Sequence, residues 1–406
     1  MTDSLKHKKI YDRLTKPYFI LSVLIVLFVV SRISMYVVFM RATGDHSVRG
    51  FLVSMNKWDT GWYQWYVTYI GKDLEILHAT PTYNGQAWWA FFPLFPSIVA
   101  FFWKIFGNND QNNILLIGEA VNTVFFLVAE YFGFKYMMVT RKSLFAAYSY
   151  VAFMSLGLYS FYFSILYTEA LFLMLLTLCF YFLKTKRYIA MGIAGAFLSA
   201  TRNAGIMFVF VILVDLIEEY IRQEAKFDKK APVKSLFSNL KDFVVTNLKK
   251  PELIFGTCLV PLGFFSFMAL LSKITGDGLA FLHVQRAWGK NSNGLLRNLK
   301  YAFYNEFPPD FLSIATLLII ILIVITCINQ KRFYETTFSV IILLASASSS
   351  FYSVPRYAIG CFTVVVAFSD EFSKFKPLTR AFLGVIIAAM EIILIKYWIL
   401  VDPNLV

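Results

Sequence analysis

The sequence predicts an all-α integral membrane protein with about 11 transmembrane helices. Of its 406 residues, 58% are hydrophobic and 18% aromatic, and only 16% are charged, whereas soluble domains carry about 25% charged residues. Runs of about 20 apolar residues, the length that crosses a bilayer as a helix, recur along the chain. Basic residues collect in alternate loops between these runs, as the positive-inside rule predicts.

The same composition excludes several other classes of protein. The four cysteines all lie in apolar runs, so they do not form the disulfide framework of a small secreted domain. The aromatic content excludes a disordered chain. The net charge of +13 would suggest a nucleic-acid partner in a soluble protein. Here we expect no nucleic-acid partner, because most of the basic residues lie in the segments predicted to be cytoplasmic, where they fix the topology of the chain.

Eleven segments have the length and polarity of a membrane span. They are residues 18–40, 114–139, 143–158, 161–183, 188–200, 204–220, 252–272, 310–329, 334–353, 355–369 and 380–400. They divide the chain into a membrane module over residues 1–220, a basic cytoplasmic loop over 221–251 and a C-terminal membrane module over 252–406. Large outer loops are predicted at residues 41–113 and 273–310.

Residues 91–106 form an aromatic segment with two prolines, which either lies in the membrane interface or crosses it. If it lies in the interface and the N-terminus is cytoplasmic, about twice as many lysines and arginines fall inside as outside. Crossing would move the basic turns at 141–142 and 184–187 to the other side. The charge distribution therefore favours the interfacial position, in a multi-pass protein of the cell membrane whose polar motifs face the outside.

The first outer loop contains a row of aromatic residues. Their spacing of three and four places them on one helix face: Trp58, Trp62, Trp65, Tyr66 and Tyr69. This pattern predicts a helix in the interface, with its aromatics in the headgroup layer. Asp59 lies beside this face, where partial loss of hydration favours proton uptake, and it is the candidate general base. The alternative is that Asp59 caps the helix or is a solvated charge.

A second aromatic element of this loop, residues 91–96, reads Phe-Phe-Pro-Leu-Phe-Pro. Two prolines three residues apart cannot continue a helix but can begin one. We expect this corner to shape a slot for a lipid chain. The alternative is a simple turn in the interface.

Two ionisable residues lie at the edges of predicted spans. Glu169 begins or nearly begins an apolar helix, where an acid complements the helix dipole, but ionisable groups at the membrane edge are also candidate binding residues. Arg202 lies in the polar stretch 199–205, which divides residues 188–220 into two pieces. Its planar guanidinium group suits a phosphate. The alternative is a hairpin turn that leaves Arg202 among the outer headgroups.

Further candidate binding residues are scattered along the chain: Trp58 beside Asp59, Arg32 inside the first span, His283, Gln285 and Arg286 in the second large outer loop, and Arg356 between two late spans. The alternatives are that Arg32 extends its side chain to the membrane surface and that the segment around His283 anchors headgroups. The sequence contains no pattern of His, Cys or acidic residues typical of a metal site. We therefore expect neither a metal ion nor a cofactor.

Four motifs in this order resemble the signatures of the PIG-V family, the GPI mannosyltransferase II-like enzymes. They are Trp58-Asp59, residues 90–96 (AFFPLFP), residues 167–172 (YTEALF) and residues 201–205 (TRNAG), and residues 355–357 extend the likeness loosely. The family is similar to other GT-C glycosyltransferases. The likeness covers about half of the chain. It departs from the eukaryotic pattern after Arg202, where Asn-Ala-Gly replaces Ser-Asn-Gly.

The resemblance implies a GT-C-like membrane fold and an inverting glycosyltransferase, with Asp59 as the catalytic acid of the first outer loop. It implies transfer of a hexose, mannose by analogy, from a polyprenyl-phosphate sugar to a glycan, glycolipid or protein acceptor at the outer face. The Phe- and Lys-rich, Ala-poor amino-acid usage suggests an AT-rich genome and a bacterial member, for which a GPI acceptor is not carried over. The alternatives are a transporter or flippase of a lipid-linked glycan, and a scaffolding subunit.

Overall fold

The computed structural model describes residues 11–70, 82, 84–223, 232–288, 296–297, 300, 318, 320–322, 324–349 and 354–400, without the side chains of 232–237, 349 and 355. Over these residues all regular structure is helical, as the composition predicts. The helices are α1 (Pro17–Thr43), α2 (Val48–Met55), α3 (Asp59–Tyr69), α4 (Leu94–Phe106), α5 (Ile114–Thr140), α6 (Leu144–Leu156), α7 (Glu169–Lys184), α8 (Tyr188–Thr201), α9 (Phe208–Gln223), α10 (Pro232–Leu248), α11 (Pro251–Leu259), α12 (Leu262–Thr275), α13 (Ala280–His283), α14 (Phe333–Ser349), α15 (Val354–Gly360), α16 (Phe362–Lys374) and α17 (Pro377–Leu400).

Four helical stretches in the described part of the chain are long and apolar enough to cross a membrane: Pro17–Thr43, Gln111–Thr140, Pro251–Thr275 and Pro377–Leu400. Shorter apolar helices include α4, α6 and α8. The chain therefore has the character of a membrane protein. The predicted number of about 11 spans stays a prediction, and the span expected at 310–329 lies mostly outside the described residues.

Several predicted spans have different boundaries in the structure. The stretch 252–272 is divided at Pro261, because proline lacks the N–H that would continue the helical hydrogen bonds. The stretch 355–369 is divided at Cys361. The largest difference concerns 161–183, where the helix begins only at Glu169. We call residues 157–168, which precede it and are not α-helical, the buried strap.

The first half of the buried strap is fixed by the last helix. Its backbone folds into a short 3-10 helix, Ser160–Ser164, after Tyr159, whose φ of 64° is left-handed. The carboxylate of Glu391 in α17 accepts hydrogen bonds from the backbone N–H of Tyr159 at 2.6 Å and from the hydroxyl of Ser160 at 2.9 Å. Buried backbone groups outside a regular helix need such partners.

Two asparagines fix the second half of the strap. Asn122 of α5 donates from Nδ2 to the carbonyl groups of Ile165 at 2.6 Å and Tyr167 at 3.1 Å. The Oδ1 atom of Asn56 accepts from the backbone N–H of Leu166 at 2.6 Å. Irregular backbone inside a membrane protein is tolerated where protein surrounds it and satisfies its polar groups. These hydrogen bonds fix the strap and therefore the position at which α7 begins.

The core of the molecule surrounds α7, which packs against α5 and α8. Phe126 of α5 stacks on Phe163 of the strap with ring centroids 5.0 Å apart. Farther along α7, Phe180 meets Phe208 of α9 at 5.2 Å. All four rings are fully buried. This packing holds the strap against α5 and the first residue of α9 against the later part of α7.

Candidate active site

Four ionisable residues from distant parts of the chain meet at one side of the bundle: Asp59, Glu169, Arg202 and Arg356. Asp59 and Glu169 are the first residues of α3 and α7. Arg202 lies directly after α8, and Arg356 lies in α15. The site therefore forms only where four separate elements come together.

The four side chains form a continuous chain of ion pairs. Arg356 donates from Nη1 to Oδ2 of Asp59 at 2.7 Å, and from Nε to Oε1 of Glu169. Arg202 donates from Nη2 to the same Oε1 atom at 2.6 Å. The order is therefore Asp59, Arg356, Glu169, Arg202, with two positive and two negative charges.

Burial changes along this chain. The Glu169 side chain is fully buried and that of Arg356 is 7% exposed, whereas Arg202 is 12% and Asp59 23% exposed. Aromatic rings flank both cations. The Arg356 Cζ atom lies 4.2 Å from the ring centroid of Tyr167, and the Arg202 Cζ atom lies 5.1 Å from that of Tyr357. Such cation–π contacts favour a fixed orientation of each guanidinium plane.

The local backbone explains how Asp59 and Arg202 reach the site. Trp58 has a φ of 48°, so the chain turns sharply immediately before α3 begins at Asp59. α8 ends at Thr201, and Arg202 is fully extended, with φ −154° and ψ 149°. A 3-10 helix, Asn203–Met207, then leads into α9. The polar break that the sequence predicts at residues 199–205 is therefore confirmed, and it presents Arg202 between two helices.

A cavity of about 1090 Å³ opens beside the ion pairs. Its walls come from the first outer loop, the break after α8, α12, the segment around α13, and α14 and α15. Side chains in its lining include Trp58, Asp59, Trp62, Tyr63, Gln86, Phe91, Phe92, Arg202, Gln285, Trp288, Arg356 and Tyr357. Pockets of this size and mixed lining accommodate ligands larger than a simple metabolite.

One wall of this cavity is aromatic. Trp62 stacks on Phe91 with centroids 6.0 Å apart and meets Trp288 edge-on at 5.7 Å. Tyr63 packs edge-on against Phe91 at 5.1 Å. Burial raises the pKa of Tyr63 well above its ordinary value, so its hydroxyl stays protonated. The aromatic corner predicted at residues 91–96 therefore lies on the cavity, and α4 begins directly after Pro93.

The aromatic row predicts a helix, and α3 is that helix, but it does not include every residue of the row. Trp58 precedes the helix, so it does not share its face. Tyr66 is buried against Trp88 at 5.0 Å, and Trp65 contacts Tyr69 at 4.8 Å. Part of the row therefore packs inside the protein, because Trp88 and its neighbours fold back over it.

The structure brings together most of the candidate residues from the sequence. Trp58, Asp59, Arg202, Gln285 and Arg356 all line the cavity. Glu169 lies behind the two arginines and contacts both.

Three candidates are not brought to this cavity. His283 is exposed and pairs through Nδ1 with Asp277 at 2.6 Å. Arg286 is exposed on the 3-10 helix after α13. Neither is among the described residues that line the cavity.

Arg32 belongs to a different part of the bundle. It donates from Nη1 to Ser31 at 3.0 Å, and its Cζ atom lies 4.2 Å from the ring of Phe28. Its electrostatic partners are Glu119 and Glu130 of α5 and Glu391 of α17. The alternative, extension to the membrane surface, is not observed, since the described hydrogen bonds of Arg32 are to Ser31 and Met35 of its own helix.

Sequence reasoning missed some of the lining residues. Gln86 comes from a polar stretch without a recognisable pattern, and no signal in the sequence points to it. Tyr357 follows Arg356 directly, and its position in that motif was a usable signal. In the part of the chain that the structure describes, no group of three or more His, Cys, Asp or Glu side chains could hold a metal ion.

No model of a known protein family matches the chain, and no curated protein matches it. Among solved structures, the chain is similar to the apo form of the oligosaccharyltransferase from Archaeoglobus fulgidus, with 12% identity and a TM-score of 0.43. The alignment covers 95% of this chain and 55% of that one, so the chain spans about half the length of the oligosaccharyltransferase. The function proposed below therefore rests on the site geometry and on the motifs.

Proposed function

We propose that the protein is a membrane glycosyltransferase that transfers a hexose from a polyprenyl-phosphate sugar to an acceptor hydroxyl at the outer face of the membrane. One observation carries this proposal: an acid and two arginines converge on one cavity with an aromatic wall. The arginines suit the phosphate of the donor, and the aromatic wall suits its lipid chain or its sugar. The likeness of the four motifs to the PIG-V family supports mannose as the sugar.

In this mechanism Asp59 is the general base. The acceptor oxygen forms a bond to C1 of the donor sugar while the bond between C1 and the phosphate oxygen breaks, with inversion at C1. The electron pair of the breaking bond stays on the phosphate, where Arg202 and Arg356 stabilise the developing charge. The proton of the acceptor hydroxyl passes to Asp59. Arg356 holds Oδ2 of this carboxylate, which leaves Oδ1 to take the proton.

A transporter or flippase of a lipid-linked glycan is the second candidate. Ionisable residues inside spanning helices would favour it, and Arg32 and Glu119, which are partly buried, and Glu130, which is fully buried, are such residues. However, Glu119 accepts a hydrogen bond from Asn56 at 2.7 Å, and Glu130 accepts one from Ser155. These local bonds favour a role in internal packing.

The first prediction is that Asp59→Asn abolishes transfer. Asparagine keeps the shape of the side chain but cannot act as a base, and loss of general-base catalysis typically lowers the rate about 10²- to 10⁴-fold. The assay incubates membranes with a synthetic polyprenyl-phosphate mannose and follows the products by mass spectrometry.

The matched control is Asp110→Asn, which changes an exposed acid of the same outer loop. The Oδ1 atom of Asp110 accepts hydrogen bonds from the backbone N–H and the Nδ2 group of Asn112. The amide oxygen of asparagine can accept the same bonds, so we expect activity close to that of the unmodified protein. Full activity of the Asp59→Asn protein would refute the role of Asp59. Movement of lipid-linked sugar across the membrane without any transfer would favour the second candidate.

A further inference from the structure

The Glu169 carboxylate is placed where it cannot reach a ligand easily. Its side chain is fully buried, and one oxygen, Oε1, accepts hydrogen bonds from both Arg202 and Arg356. The other oxygen, Oε2, is buried without a hydrogen-bond partner among the described residues. An acid with this geometry has no free access to the cavity, and its contacts are with the two cations.

Two guanidinium groups so close to one another repel, and an ion pair with a shared carboxylate offsets that repulsion. The described contacts use one nitrogen of Arg202 and two of Arg356, of the three that each guanidinium group carries. The remaining N–H groups are therefore available to an anion in the cavity. Glu169 fixes the distance and orientation at which the two cations present them.

The surrounding structure supports this fixed position. The buried strap ends at Thr168, directly before Glu169, and its anchors at Asn56, Asn122 and Glu391 set where α7 begins. Phe172, one turn later, lies 5.7 Å from the Arg202 Cζ atom. The carboxylate is therefore held by the backbone of the strap and the first turn of α7.

We propose that Glu169 is a positioning residue, which holds Arg202 and Arg356 as a matched pair for one lipid-linked phosphate. This inference rests on the proposed function, since the phosphate belongs to the donor of that reaction. Glu169 itself contacts neither the donor nor the acceptor. Its effect on transfer passes entirely through the two arginines.

Steady-state kinetics with synthetic polyprenyl-phosphate mannose test the inference. We expect Glu169→Gln to raise the KM for the donor about 30-fold or more, as loss of one partner of a buried charge pair typically does, with a smaller fall in kcat. Glu169→Asp keeps the charge and should recover part of the loss. Glu130→Gln is the matched control, because it replaces another fully buried glutamate, whose hydrogen bond is with Ser155 and not with Arg202 or Arg356.

A KM for the Glu169→Gln protein equal to that of the Glu130→Gln protein would overturn the inference. A cryo-electron microscopy structure of Glu169→Gln gives a second readout, independent of activity. We expect Arg202 to turn away from Arg356, and unchanged positions of both arginines would overturn the inference. If the unmodified protein does not use the donor, the proposed function fails, while the structure of the variant still decides the role of Glu169.

Discussion

At the scale of single residues, Arg356 is the centre of the candidate site. It is buried, and two different nitrogens of its guanidinium group bond two different carboxylates, Asp59 and Glu169. Arg202 uses one nitrogen toward Glu169 and is more exposed. The planar fork of arginine makes the double contact possible, and a lysine ammonium cannot reproduce it.

We therefore predict that Arg356→Lys lowers transfer much more than Arg202→Lys. Loss of one hydrogen bond between charged groups costs about 1.5–3 kcal/mol, which corresponds to roughly a 10- to 100-fold loss for Arg356→Lys. Initial rates at saturating acceptor measure the difference. Arg222→Lys serves as the control, because that arginine is 63% exposed and its ion pair among the described residues is with Glu218 of its own helix. Equal losses in both site variants would contradict the central position of Arg356.

Particular residues show how far the sequence predicts the site. Asp59, Arg202 and Arg356 are candidates because they are ionisable residues at the predicted membrane edge, where such groups are rare and usually functional. Their pairing is not readable from the sequence, because it depends on how distant helices pack. Arg32 illustrates the limit: a lone cation in a span resembles a ligand-binding residue until its buried acidic neighbours are known.

At the scale of elements, α8 lies unusually close to α11 and α12. A Cβ atom added to Gly256 would lie 2.2 Å from the carbonyl oxygen of Tyr188, and one added to Gly192 would lie 2.3 Å from that of Gly256. Small residues allow such close approach of helices in membranes. Because α8 ends directly before Arg202, this contact also sets where that arginine lies.

We predict that Gly256→Ala lowers the melting temperature and the transfer rate together. The added methyl group must push α11 away from α8, and such overpacking typically costs about 1–3 kcal/mol. Thermal unfolding in detergent and the transfer assay measure the two effects. Gly384→Ala is the control, since a Cβ atom there meets nothing within 4 Å in an apolar helix. Identical behaviour of the two variants would show that the close contact is unimportant.

The elements also show what hydropathy can and cannot predict. It predicts α1, α5 and α17 well, because each is a long apolar run. It predicts a helix through residues 161–168, where the structure has the buried strap. The strap is rich in apolar and aromatic residues, and its hydrogen bonds to Asn56, Asn122 and Glu391 compensate for part of the lost helix. Those partners lie far away in the sequence, so no local pattern reveals them.

At the scale of the whole molecule, the proposed reaction requires the cavity to face the outside. The bias of basic residues predicts this orientation, and it can be measured directly. We predict that a cysteine placed at Asp110 reacts with a membrane-impermeant maleimide on intact cells. A cysteine placed at Arg187 should react only after permeabilisation. Both positions are exposed.

The labelling needs a background without an accessible native thiol. Cys258 is the exposed native cysteine among the described residues, so Cys258→Ser supplies that background, and the other three are buried. Labelling of position 187, and not 110, on intact cells would place the cavity on the cytoplasmic side. A donor at the outer face would then be excluded.

The sequence distance between the partners in the site has a consequence for biosynthesis. Asp59 and Arg356 form an ion pair although 297 positions separate them. A nascent chain that has inserted its first outer loop but not yet α15 holds an unpaired Asp59 and an incomplete phosphate site. We therefore expect the protein to be inactive in the proposed transfer throughout translation and to become active only when its last helices enter the bilayer.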